Sequence, residues 1–208
     1  MGKRKKNKSL CLVIGFFLLS CSTLFVASHF SINKYEEKKE DIKIEKFFEE
    51  EKEYVAEITE ENKSNEEKKE NEINYTMVIE IPKIGLKKGL CSIGQWCNAI
   101  KYNIEVNTKS NMPNVDKGNL ILASHNGSSS ISYFNKLDRL NIGDSIYLYY
   151  QGIKYEYILD NYYDIAKTGK AAIKRDSNKS TITLITCKKN TNNKQVVYIA
   201  YLNNKEEY

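Results

Sequence analysis

No charge interrupts residues 9–33, and residues 10–28 are almost continuously apolar. A run of that length covers the hydrocarbon core of a bilayer as one helix, a form in which every backbone polar group is satisfied internally. The flanks differ in sign: Lys3, Arg4, Lys5, Lys6 and Lys8 precede the run, and an acidic segment follows it. Because positive flanks stay cytoplasmic, the expectation is a basic cytoplasmic tail over residues 1–8 and a single-pass signal anchor over 9–30. The remainder is then extracellular. A cleaved signal peptide competes with this reading but calls for a shorter apolar core, of roughly 7 to 15 residues. The same length counts against a lipoprotein-type box at Leu18-Leu19-Ser20-Cys21.

Charge divides the 208 residues into three parts. Residues 1–30 hold five basic groups and no acid, residues 31–75 nine basic and sixteen acidic, and residues 76–208 eighteen and eleven, giving net charges of +5, −7 and +7. In the acidic part, Ile44, Phe47, Phe48, Val55 and Ile58 recur at roughly helical spacing among Glu and Lys, which predicts a partly helical tether over 31–75. Residues 60–74 keep Ile73 as their one apolar side chain, too little to bury, and a solvated spacer is expected there.

Residues 76–208 read as a mainly β domain. Runs rich in β-branched and aromatic residues recur at 76–81, 119–124, 145–150, 153–159, 181–186 and 196–202. Gln151-Gly152 separates two of them by the two residues of a tight hairpin. Ile131, Phe134, Leu137 and Leu140 stand three apart ahead of Asn141-Ile142-Gly143-Asp144, predicting one short helix over 131–140 and a turn after it. Many short strands with one or two helices indicate a small barrel or sandwich.

The chemistry rests on a thiol and an imidazole. Thr181, Ile182, Thr183, Leu184 and Ile185 make a strand that Lys188, Lys189 and Asn190 break, so Cys187 is expected at a strand end, half exposed. A structural cysteine is usually buried. Lys188 and Lys189, with no acid within ten residues of Cys187, would instead favour the thiolate, which is the attacking form. His125, the one histidine of this domain, likewise follows a strand-like run and precedes an Asn126-Gly127 turn. A strand-end cysteine and a strand-end histidine make a nucleophile and a base. Cys91, Cys97, His125 and Cys187 lack the spacing of a zinc site, so neither a metal nor another cofactor is expected. Cys91 and Cys97 could close a short disulfide loop, with Gly94 permitting a tight turn. Five cysteines at uneven spacing are no disulfide framework, however, and Leu90 and Trp96 beside this pair favour simple burial.

Three stretches in order carry a resemblance: Ala123-Ser124-His125-Asn126-Gly127, then Phe134, Leu137 and Leu140-Asn141-Ile142-Gly143-Asp144, then Thr183-Leu184-Ile185-Thr186-Cys187. Together they resemble the sortases, cysteine transpeptidases of Gram-positive bacteria. Ile81-Pro82-Lys83-Ile84 is similar to the start of that family's catalytic barrel, so the likeness runs from about residue 76 to residue 202. It implies an eight-stranded β-barrel with one or two short helices, in which His125 and Cys187 face one groove. Cys187 would attack a backbone carbonyl in a Leu-Pro-any-Thr-Gly-like sorting signal of a secreted protein, forming an acyl thioester. An amine such as a peptidoglycan precursor would then take the acyl group, with His125 moving the protons. The anchor and tether fit the family's usual topology at the cell membrane, and nucleic acid is not an expected partner.

The chain departs from the family at one place. Sortases usually carry an arginine on the strand after the cysteine, and the matching stretch here is Lys194-Gln195-Val196-Val197-Tyr198. Gln195 therefore stands where the arginine would, as the candidate oxyanion donor, with Thr186 helping to hold the peptide. Arg175 and Lys194 are the competing sources of charge. Neither a lid containing an Asp-Pro-aromatic element nor a C-terminal span occurs, which favours wall anchoring over pilin polymerisation. Three other readings share the same residues: a different cysteine enzyme acting on the wall, a catalytically impaired relative, and a non-enzymatic barrel binding anionic wall polymers through its net +7.

Overall fold

The structure, a computed structural model, describes residues 3–59 and 74–208, with side chains for 12–52 and 74–208. The expected spacer thus falls almost wholly outside the described residues. So do the side chains of the basic tail and of Val55 and Ile58. One helix, α1 (Lys3–Thr59), opens the chain, which divides into two compact units, Met1–Ile42 and Lys43–Tyr208.

The first unit is helix alone. Its large apolar side chains have no protein cover, Phe16, Phe25 and Phe30 being 72, 73 and 77% exposed. The hydroxyls of Ser20, Ser22, Thr23 and Ser28 donate to carbonyls three residues earlier, so their polar atoms are satisfied within the helix. The helix is long and apolar enough to cross a membrane, with a mean hydropathy of 1.9 in its most apolar window.

The second unit contains eight strands: β1 (Tyr75–Ile81), β2 (Leu86–Cys91), β3 (Glu105–Val106), β4 (Asn119–Ala123), β5 (Ser145–Tyr150), β6 (Ile153–Ala166), β7 (Thr181–Cys187) and β8 (Lys194–Glu207). They form one sheet in the order β2-β1-β5-β6-β8-β7-β4-β3, which curls into a nearly closed barrel. Every pairing is antiparallel except β4 with β7, which run parallel from Asn119↔Thr181 to Ala123↔Ile185. Alternate residues of each strand face the interior, where Met77, Ile79, Leu122, Leu148, Tyr157 and Leu184 belong to one buried cluster.

The central strands are covered on both faces. Behind β7, a second cluster of Ile121, Ile185, Val197 and Ile199 lies on the outer face of the barrel, with Ile173 of the β6–β7 loop packed on it. This makes all of Thr181–Thr186 buried, the pattern of a strand that cannot alternate with solvent. Thr183 is fully buried and its hydroxyl donates to Asn119 Oδ1 at 2.8 Å.

Three sequence expectations need correction. The three-residue spacing of Phe134, Leu137 and Leu140 belongs to a 3-10 turn, Leu137–Arg139, and not to a helix over 131–140. That period eclipses side chains at i and i+3, which places all three in the core. β2 carries no alternating signal because Lys87, Lys88 and Gly89 interrupt it; a Cβ at Gly89 would lie 2.0 Å from the ring of Tyr75, so only glycine fits. β8 runs past its apolar run to Glu207, where polar cross-strand pairs such as Lys154–Glu206 at 3.0 Å and Asn203–Glu156 at 2.9 Å hold it, and β6 runs on to Ala166 along the first residues of β8, from Asn161↔Ile199 to Ala166↔Lys194. The hairpin at Gln151-Gly152 is as expected, both residues having positive φ (51° and 71°), the signature of a I′ turn.

The end of α1 belongs to the barrel unit. Ile44 and Phe47, each 4% exposed, join Tyr75, Val78, Cys91 and Cys97 in a third cluster. Phe48 meets Tyr149 and Tyr208 edge to face at 5.1 and 5.4 Å. The Glu51 carboxylate accepts from the backbone N–H of Gln151 at 2.8 Å and of Gly152 at 2.7 Å, and from the Tyr208 hydroxyl. Ile44, Phe47 and Phe48, the described part of the tether's apolar stripe, are therefore occupied. Cys91 and Cys97 are bonded to each other, Cα atoms 6.0 Å apart, as well as buried, and Trp96 beside them is 57% exposed.

Phe47→Ala should lower the unfolding free energy by about 3–5 kcal/mol, read from denaturant unfolding of the detergent-solubilised chain; an unchanged midpoint would show that the helix end does not pack on the barrel in solution. In the unreduced, denatured chain, alkylating reagent should reach Cys187 but leave Cys91 and Cys97 unlabelled until reductant is added. Opening that short loop should cost about 2 kcal/mol of stability.

Candidate active site

β7 delivers Cys187. The face of β7 that carries Ile185 also carries Cys187, and on β8 the residue opposite is Gln195. Gln195 in turn pairs with Ile165 on β6. On the other side, the parallel β4–β7 register, continued two residues past Ala123↔Ile185, brings His125 level with Cys187. The thiol, the imidazole and the amide thus stand in one row across three neighbouring strand ends. All three residues are half-buried, which leaves them accessible yet held.

Beyond Ala123↔Ile185, one more backbone bond and two side chains stitch β4 to β7. Ser124 N donates to Ile185 O at 3.3 Å, Thr186 Oγ1 donates to Ser124 O at 2.8 Å, and Asn126 Nδ2 donates to Cys187 O at 2.8 Å. His125 O accepts from Phe134 N at 3.2 Å, which ties the histidine loop to the core beneath. Thr186 is 2% exposed and its hydroxyl is committed to this stitching. Its side chain is thus turned inward, beneath the face that carries Cys187, and acts as a strut between β7 and β4.

A cavity of about 610 Å³ opens at the thiol, lined by Asn126, Gly127, Lys167, Cys187 and residues 188–192. The cations beside Cys187 are not free. Lys188 Nζ pairs with Asp164 of β6, and Lys189 Nζ with Asp138 of the 3-10 turn at 2.8 Å. No acid is near Cys187 in sequence, but the fold brings Asp164 and Asp138 to the two lysines that follow it. Burial first, then the charges of Asp138 and Asp164, pushes the Tyr198 phenol up to about 12, so it stays protonated at neutral pH.

The competing sources of positive charge are placed elsewhere. Arg175 donates to the carbonyls of Asp176, Lys179 and Lys117 at 3.1–3.2 Å and to Thr181 Oγ1 at 3.3 Å. Thr181 begins β7 and Cys187 ends it, a separation of roughly 20 Å at 3.3 Å per residue. Lys194 is exposed, with its Nζ 4.0 Å from Asp164. Of the three candidates, only Gln195 lies in the row. Sequence reasoning missed Asn126, which it took for a turn residue, together with Asp138 and Asp164, whose nearness is tertiary. Adjacency to His125 was the one local hint of Asn126.

Comparison with known proteins finds relatives in one family. A family model for the sortase domain matches residues 79–203. Sortase A of Bacillus anthracis is 39% identical over 71 residues, which are 34% of this chain and 33% of that protein, so the match spans about a third of the relative's length. The structure of Listeria monocytogenes sortase A superposes with a TM-score of 0.55 at 24% identity, covering 64% of this chain and 90% of that one. A Clostridium perfringens sortase transpeptidase superposes with a TM-score of 0.58 at 22% identity, covering 79% and 98%. By that family match, which covers more than half of its length, the chain belongs to the sortase family.

Proposed function

We propose that this chain is a membrane-anchored cysteine transpeptidase that joins secreted proteins bearing a C-terminal, Leu-Pro-any-Thr-Gly-like sorting signal to a cell-wall amine such as a peptidoglycan precursor. The observation that carries the proposal is the row of His125, Cys187 and Gln195 at the ends of β4, β7 and β8, with a groove open at the thiol. Cys187 Sγ attacks the scissile carbonyl; the C–N bond breaks, and the leaving amine takes a proton from His125. The acyl group is then held as a thioester. An incoming amine attacks the thioester and gives its proton to the imidazole, and the thiolate leaves as the new amide forms. Gln195 offers an N–H to the oxygen that becomes negative in each tetrahedral intermediate.

In the same reading α1 anchors the enzyme with its N-terminus in the cytoplasm and the barrel outside. The five basic groups before the apolar run support that orientation. The Cys91–Cys97 disulfide fits an oxidising exterior. Protease added to intact protoplasts should remove the barrel and leave the tail, whereas a barrel that stays protected would place it inside.

Cys187→Ala should abolish both the thioester adduct with a sorting peptide, read by mass spectrometry, and amine transfer. His125→Ala should lower turnover by about two to four powers of ten and leave Cys187 alkylatable; substantial transfer by Cys187→Ala protein would sink the assignment. Gln195 supplies a neutral donor, roughly half as strong as a charged one, so Gln195→Ala should cost about one to two powers of ten in kcat. Arg175→Ala, by contrast, should lower the unfolding midpoint and leave kcat within about twofold, because its guanidinium bridges backbone carbonyls at the far end of β7. A larger kcat loss in Arg175→Ala, at matched folding, would move the charge back to the loop.

A further inference from the structure

We infer that Asn126 is a positioning residue that takes the place of a missing strand residue and fixes the Cys187 peptide against the histidine segment. This rests on the function proposed above. Lys188 N donates to Lys194 O at 3.0 Å, so the peptide between residues 187 and 188 turns its N–H toward β8. The carbonyl of a trans peptide points the opposite way, and the Cys187 carbonyl therefore looks toward β4. β4, however, has ended at Ala123, and no ladder donor remains on that side. Asn126 Nδ2 fills the position at 2.8 Å, across 61 residues of sequence.

Two features separate this contact from incidental packing. Asn126 follows His125 directly, so one side chain couples the backbone of the base segment to the backbone of the nucleophile. Its other amide atom, Oδ1, is buried and takes no hydrogen bond. The bond to Cys187 is thus the hydrogen bond that orients the amide, and the residue lines the groove at the thiol. A buried acceptor left without a partner is uncommon, and here it accompanies a donor whose one bond holds the reacting strand end. Misplacement by about 1 Å of a group at the reacting centre costs on the order of 100-fold in rate, far more than the bond's share of folding stability suggests.

The test compares Asn126→Asp, Asn126→Ala and Asn126→Gln in the full chain in detergent, with thermal unfolding as the folding control. Asp matches Asn in shape but, ionised, has no donor; Gln keeps the donor on a longer arm. Expected are kcat losses of about 10- to 100-fold in both the Asp and Ala variants, KM for the sorting peptide within about twofold of wild type, and partial recovery in the Gln variant. An Asp variant as active as wild type, or a loss confined to KM, overturns the inference while leaving the Cys187 assignment intact. Absence of a peptide adduct on the wild-type chain counts against the proposed function instead. Iodoacetamide labelling of Cys187 then decides: slower labelling in Asp and Ala than in Gln supports the positioning role, and equal rates in all four proteins overturn it.

Discussion

The parallel pairing of β4 with β7 is the contact on which the rest of the site depends. It is the only parallel step in the sheet, and it joins two strands some sixty residues apart in sequence. Two parallel neighbours end on the same side, so a residue just past one strand falls level with a residue at the end of the other. An antiparallel pairing would have sent the histidine segment to the opposite end of β7. Burial on both faces then keeps β7 from sliding, since a shift of one residue would turn Ile182 and Leu184 out of the interior and bring Thr183 and Ile185 in.

Stability and chemistry are divided along this strand. Its first six residues are buried, contributing packing and the Thr183–Asn119 bond, and its last presents a thiol. Past the final ladder bond, the work of alignment moves to the side chains of Thr186 and Asn126. Lys188 and Lys189 form ion pairs of exposed groups, which are worth little to folding. They tie the β7–β8 loop to β6 and to the 3-10 turn, so their effect is on the shape of the groove mouth.

Much of this was legible in the residues. The run from Thr181 to Ile185 announced a strand, and the change of composition after it located Cys187; Leu120 to Ala123 did the same for His125. The apolar length of α1 and the Gln151-Gly152 turn were equally local signals. What could not be read was whatever depends on a partner far along the chain. The Glu51 carboxylate is an ordinary charge in an acidic segment until the turn at Gln151-Gly152 closes on it. Asp138 and Asp164 likewise gain a role only when the barrel brings them to Lys189 and Lys188. Gln195 was singled out by the resemblance, from its place on the strand after the cysteine, and in the strand register it stands opposite Cys187. The inward turn of Thr186, by alternation with its outward-facing neighbour Cys187, shows only once the strand is folded.

The location of the Cys91–Cys97 bond has a redox consequence. Both sulfurs belong to residues no more than 4% exposed, covered by Ile44 and Phe47, whereas Cys187 is half-open to solvent. Exchange requires a thiolate to reach a disulfide sulfur directly, so the folded protein keeps its reactive sulfur and its structural sulfurs out of each other's reach. An oxidant or a small disulfide can cap Cys187 without loosening the barrel. A mild reductant can strip that cap and leave the internal crosslink whole.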